Sequence, residues 1–163
     1  MSNTIKSIQI NDLGNKYYNQ GNLEKALSCY NQAISLDDKN SIAFLNRANL
    51  FADLSSNDST FYPKAISDYN QAAILDPSDA GIIYNRAVTH QENNKLEEAL
   101  RDFDRATKLN PNLDNAYYNM GIILYKVGQK TKNMDVGKAA IKHFLKAEEL
   151  GNQAAINVLN KIR

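Results

Sequence analysis

The feature that most constrains this chain is a pattern that recurs about every 34 residues. Between Ala80 and Leu113, the residues Ile83, Ala87, Ala99, Phe103, Ala106 and Pro111 fall at fixed offsets. Upstream the same pattern is filled by Phe44, Ala48, Ala65, Tyr69, Ala72 and Pro77, and before them by Ile10, Gly14, Ala26, Tyr30, Ala33 and Asp38. Downstream it is filled by Tyr117, Gly121, Ala140, Phe144 and Ala147. An Ala, an aromatic four positions on and an Ala three further on share one face of a helix. The small residue ahead of them (Gly14, Ala48, Ala87 or Gly121) suits a second helix whose backbone comes close, with the ring filling the space beside it. One such hairpin cannot bury its apolar face alone, so the copies must stack.

These residues resemble the tetratricopeptide repeat, and the resemblance covers nearly the whole chain. It implies an all-α fold, an α-solenoid: a right-handed superhelix of four helical hairpins plus a C-terminal capping helix, in one domain over 1–163. The repeats fall at about 7–40, 41–79, 80–113 and 114–154, with the cap at about 152–163. Helix A of the first repeat is expected near Ser7–Asn19, ending at Gly21, which suits a left-handed C-cap. Helix B is expected at Leu23–Leu36. The second repeat is longer, with seventeen positions from Ala48 to Ala65 where Gly14 to Ala26 takes twelve. The extra residues lie in Ser55–Tyr62 as a polar loop, and Pro63 suits the first turn of the next helix. In the third repeat Asn93-Asn94 is the turn. The fourth has nineteen positions from Gly121 to Ala140, an insertion within Gly128–Gly137. Tyr117 to Ala155 also resembles a Sel1-like repeat, carried by Gly121, Gly128, Ala139, Ala140, Phe144, Ala147 and Leu150-Gly151-Asn152. In the final helix Ala155, Ile156, Leu159 and Ile162 are expected to pack, with Asn152, Lys161 and Arg163 facing water. Such a polar-backed end suggests a complete array.

Composition narrows the function. Net charge is +1, with 43% hydrophobic and 23% charged residues, so nothing attracts nucleic acid or an anionic membrane surface. No apolar run approaches the roughly 18–20 residues of a membrane helix. The opening residues lack the apolar core of a secretory leader. The lone Cys29 permits no internal disulfide, and a cytoplasmic setting follows. Asn57-Asp58-Ser59 matches a glycosylation sequon and, without a leader, reads as chance.

No catalytic chemistry is legible. There is no glycine-rich phosphate loop, HExxH or CxxC, and no cofactor or metal is expected. His90 occupies the place of Tyr17 in the first repeat, which favours packing. His143 is expected at the surface of a helix B. Cys29 has no base beside it and reads as a bland thiol. Small-molecule substrates are therefore not expected.

What remains is the concave face, which the family resemblance assigns to the A helices. Alignment places there Asn11, Asp12, Asn15, Tyr18 and Asn19; then Leu45, Asn46, Asn49 and Asp53; then Tyr84, Asn85, Val88 and Gln91; then Tyr118, Asn119, Ile122, Tyr125 and Lys126. The expected peptide-binding set is Asn15, Tyr18, Asn46, Asn49, Tyr84, Asn85, Tyr118, Asn119 and Tyr125. Asn recurs two residues before the small position, at Asn46, Asn85 and Asn119, with Asp12 in the first repeat. An amide offers an acceptor and two donors. A row of them resembles the asparagine ladders that grip peptide backbones in some members of the family. The same amides could instead bond the neighbouring repeat.

The expectation is a non-catalytic protein-interaction module that holds an extended peptide or a partner helix, as a monomer or weak homo-oligomer. One alternative is a self-associating structural scaffold. Another is a co-chaperone-like binder of acidic C-terminal tails. Members with that function resemble one another in a carboxylate clamp of two Lys, two Asn and an Arg. Here the Asn positions are kept as Asn15 and Asn46, but the basic ones fall on Asn11, Gly81 and Asn85. Arg47 and Arg86 lie one residue away, about 100° around the helix.

Overall fold

The computed structural model describes residues 2–162. Among them the regular elements are all helical. The chain divides into two compact units, Met1–Asn94 and Lys95–Arg163, and the division falls at the Asn93-Asn94 turn. The first unit holds α1 (Asn3–Asn19), α2 (Leu23–Leu36), α3 (Ser41–Ser55), a 3-10 turn (Ser59–Phe61), α4 (Tyr62–Leu75) and α5 (Ala80–Glu92). The second holds α6 (Leu96–Leu109), α7 (Asp114–Thr131), α8 (Met134–Glu149) and α9 (Gln153–Ile162). Successive helices pack on one another within each unit, the α-solenoid arrangement expected from the repeat.

The repeated face is the core. Ala26, Tyr30 and Ala33, then Ala65, Tyr69 and Ala72, Ala99, Phe103 and Ala106, and Ala140, Phe144 and Ala147 are all at most 1% exposed. Each buried ring contributes roughly 1.5–3 kcal/mol over leaving it in water. The small residues give the rings their room. A Cβ on Gly14 would stand 2.6 Å from Tyr30 Cε1, and one on Gly121 would stand 2.6 Å from Phe144.

Many asparagines of the turns serve as helix caps. Asn22 accepts from the Lys25 N–H, Asn40 from Ala43, and Asn133 from Asp135 and Val136. Each satisfies amides that the first turn of a helix leaves orphaned. Asn40 also donates to Ser7 Oγ (2.9 Å), and that buried hydroxyl donates to the Ala33 carbonyl (2.7 Å).

Several elements differ from the sequence expectation. α1 starts at Asn3 because Ser2 Oγ accepts from the Ile5 N–H. In the second repeat, α3 continues through Ser55, and Asp58 accepts from the Thr60 N–H to start the 3-10 turn. Phe61 then stacks on Phe51 with centroids 5.9 Å apart, so part of the insertion is packed. In the fourth repeat, whose insertion the sequence located without a conformation, the extra residues lengthen both helices. α7 runs to Thr131, and only Lys132 (φ 54°) and Asn133 separate it from α8. Backbone contact allows this, since a Cβ on Gly128 would lie 3.0 Å from Gly137 N. In α9, Ala155 and Leu159 are buried, while Ile162 is exposed. Asn152 does not face water: it is buried, accepts from the Ala155 N–H, and donates toward Asp114 (2.8 Å) and Asn115 (3.0 Å). Arg163 lies outside the described residues.

Candidate functional site

The A helices of the first unit present one face each, at spacings of three and four residues. α1 supplies Asn15 and Tyr18, α3 supplies Asn46, Asn49 and Asp53, and α5 supplies Tyr84, Asn85, Val88 and Glu92. Together they line a cleft of about 370 Å³. All six binding positions expected in this unit are gathered there: Asn15, Tyr18, Asn46, Asn49, Tyr84 and Asn85.

The core aromatics of the B helices reach the same cleft. Tyr30 donates its hydroxyl proton to Asn15 Oδ1 (2.8 Å), and Tyr69 donates to Asn49 Oδ1 (2.7 Å). Burial pushes both phenols up to about 12, so they remain donors at any ordinary pH. Sequence reasoning placed Tyr30 and Tyr69 in the core alone, and missed Thr89 and Glu92 at the cleft. The available signal was the choice of Tyr over Phe at a fully buried slot, which calls for a hydroxyl partner.

Hydrogen bonding specifies what the amides do. Asn46 Nδ2 donates to the buried Asn11 Oδ1 (2.9 Å), and Asn85 Nδ2 donates to Asn49 Oδ1 (3.3 Å). In this unit the recurring Asn register therefore stitches each A helix to the preceding one. The amide nitrogens of Asn15 and Asn49, whose oxygens are held by the tyrosines, have no hydrogen-bond partner among the described residues, and neither side chain is fully buried. They are donors available to a ligand carbonyl.

The charge of the cleft is acidic. Asp53 and Glu92 line it, and among the described residues no Lys, Arg or His does. Asp53 accepts a hydrogen bond from the Tyr18 hydroxyl; burial, and then this bond, raise the Tyr18 phenol far above its usual range. Burial, and then the charge of Asp53, raise the Glu92 carboxyl. The neighbouring arginines are engaged with B helices. Arg47 makes a two-pronged pair with Asp68 (2.7 and 2.8 Å) and donates to Asn31, and Arg86 donates to Asn70.

In the second unit, Tyr118 and Tyr125 lie against Phe144, with centroids 6.0 and 6.4 Å away, and are half-buried. Asn119 is half-buried on the same helix. His143, expected at the surface, is half-buried and stacked on Tyr117 at 6.3 Å. In the first unit His90 is buried, its Nδ1 2.8 Å from the Tyr62 hydroxyl. Cys29 is partly buried, and burial raises its thiol above the ordinary value, which disfavours the thiolate. Among the described residues, no helix is long and apolar enough to cross a membrane, and no group of three His, Cys, Asp or Glu side chains is placed to hold a metal.

Comparison with known proteins gives consistent results. A family model described as TPR repeat matches residues 14–55 and 92–128. Tetratricopeptide repeat protein 6 of Homo sapiens is 29% identical over 143 residues, which is 87% of this chain and 26% of that protein. The chain thus spans about a quarter of that relative's length. The solved first TPR of Spaghetti (RPAP3), bound to the HSP90 peptide SRMEEVD, superposes with a TM-score of 0.69 at 29% identity, covering 77% of this chain and 98% of that one. The second TPR of the same protein, bound to the same peptide, is 30% identical with a TM-score of 0.57, covering 63% and 91%.

Proposed function

Because this chain belongs to the tetratricopeptide-repeat family, we propose that it is a non-catalytic interaction module that holds an extended peptide segment in the cleft of its first unit. The observation that carries this reading is the gathering of six A-helix side chains around one cleft, with Asn15 and Asn49 fixed by tyrosine hydroxyls and their N–H groups left over. Fixed donors spare the ordering entropy that a flexible surface must supply on binding. Tyr84 and Val88 add apolar contact area beside them. Peptide binding by the solved relatives supports the same reading. In the second unit, taken by itself, Tyr118, Asn119 and Tyr125 on α7 are proposed as peptide-contact residues, and the Sel1-like reading of the fourth hairpin is proposed on Gly121, Gly128, Ala139, Ala140, Phe144, Ala147 and Leu150-Gly151-Asn152.

The test uses fluorescein-labelled nonapeptides, capped at both ends and randomised among neutral residues. Saturable anisotropy with wild type that is lost in Val88→Trp, at unchanged circular dichroism, is the expected result. Equal binding to both proteins, or none to either, overturns the reading.

A second reading, capture of acidic tails such as SRMEEVD, is suggested by the relatives' ligands. The cleft argues against it, because the clamp's basic positions are Asn11, Gly81 and Asn85 here, and the charged side chains lining the cleft are the carboxylates of Asp53 and Glu92. Labelled SRMEEVD is expected not to bind.

A further inference from the structure

Asp53 and Glu92 come from the ends of α3 and α5, the latter being the last residue of its helix. They line the same cleft, and the charge of one raises the proton affinity of the other. Neither has an ion-pair partner among the described residues; the acidic groups that do include Asp68, Glu97, Asp104, Asp135 and Glu149. Among the described residues the hydrogen bond to Asp53 comes from Tyr18, a neutral donor that leaves the negative charge uncancelled. Arg47 and Arg86, the closest cations in sequence to the cleft-lining asparagines, are committed to Asp68, Asn31 and Asn70 on B helices. The cleft therefore combines two unneutralised carboxylates, neutral amide donors and an aromatic ring.

We propose that the segment bound in this cleft is cationic: an extended peptide whose arginine or lysine side chain sits between Asp53 and Glu92, while Asn15 and Asn49 donate to its backbone carbonyls. This rests on the peptide-cleft reading above and adds to it the chemistry of the occupant. An arginine suits the site better than a lysine. Its planar fork can pair with both carboxylates and stack on Tyr84, whereas an ammonium is a compact, strongly hydrated charge. An acidic segment would bring like charge against Asp53 and Glu92 and is disfavoured.

The experiment repeats the anisotropy measurement with three labelled nonapeptide pools that differ only in the central residue, fixed as Arg, Ala or Glu. Wild type is expected to bind the Arg pool about tenfold tighter than the Glu pool, a difference suited to two partly exposed ion pairs. The double variant Asp53→Asn/Glu92→Gln keeps hydrogen-bonding groups at both positions. It is expected to erase the difference between the Arg and Glu pools at an unchanged circular dichroism spectrum. Arg and Glu pools that bind wild type equally, with both lost in Val88→Trp, would overturn the cationic occupant and leave the peptide cleft standing. An Arg preference that survives the double variant would also overturn it, by locating the attraction elsewhere. Absence of binding by every pool would overturn both readings together.

Discussion

The same slot in the repeat is filled differently in the two units. Tyr30 and Tyr69 occupy the aromatic position of the first unit, and Phe103 and Phe144 occupy it in the second. All four rings are buried to within 1%. In the first unit the extra hydroxyl of each ring crosses to the A helix and fixes an asparagine oxygen. In the second, Phe144 has no such atom, and the facing side chains are the rings of Tyr118 and Tyr125. One oxygen atom thus separates a ring that only fills the core from one that also orders a polar surface.

The comparison breaks most severely where the rings themselves are removed. Phe103→Ala or Phe144→Ala is expected to cost about 3–5 kcal/mol, read as a shift of the urea midpoint. A variant that melts like wild type would show that the repeat register is wrong.

The next effect comes from crowding the ring. Gly14→Ala places a methyl 2.6 Å from Tyr30, and Gly121→Ala does the same to Phe144. Each is expected to destabilise by about 1–3 kcal/mol. Gly14→Ala carries an added consequence, because pushing the Tyr30 ring also disturbs its bond to Asn15. A loss of peptide affinity in Gly14→Ala alone, measured by anisotropy, would sharpen the contrast.

A smaller effect isolates the hydroxyl. Tyr30→Phe and Tyr69→Phe keep the ring and are each expected to lose about 0.5–1.5 kcal/mol of stability. They should lower peptide affinity more than stability, because Asn15 and Asn49 lose their fixed orientation. Unchanged affinity in the pair would mean that the hydroxyls serve only the fold.

The smallest effect is a pH dependence confined to the second unit. Burial, reinforced by Lys142 and opposed by Asp104, lowers the His143 imidazole below its ordinary 6.5. A base whose folded value is depressed supplies stability that is present above 6.5 and is lost as pH falls through 6.5 toward the lower value. Wild type should lose a little melting temperature between about pH 8 and 5 that His143→Gln retains. Parallel curves for the two proteins would rule out this linkage.

The legible parts of the sequence were those that packing dictates directly. Leu23–Leu36 was read to the residue because Ala26, Tyr30 and Ala33 fix both the helix and its face. Six cleft positions were legible because A-helix register fixes which side chains share a face. The tyrosine hydroxyls were not, since their targets depend on the approach of two helices that no local pattern encodes. Asn46 and Asn85 were expected to meet a ligand, and an amide that bonds the next repeat looks the same in sequence. Asn152 was expected in water, although its place after Gly151 and before a helix is that of a cap. The fourth repeat's insertion was visible as length, but its conformation was not, since the helix there depends on the approach of Gly128 to the Gly137 backbone.

The bonds from Asn46 to Asn11 and from Asn85 to Asn49 have a metrical consequence. They tie α1 to α3 and α3 to α5 at a fixed step, and packed helices lie about 8–10 Å apart. An extended chain advances about 3.3 Å per residue, so one step corresponds to about three residues. In the proposed complex, Asn15 on α1 and Asn49 on α3 would therefore reach backbone carbonyls about three residues apart, so the spacing of the helices would set the register of the segment.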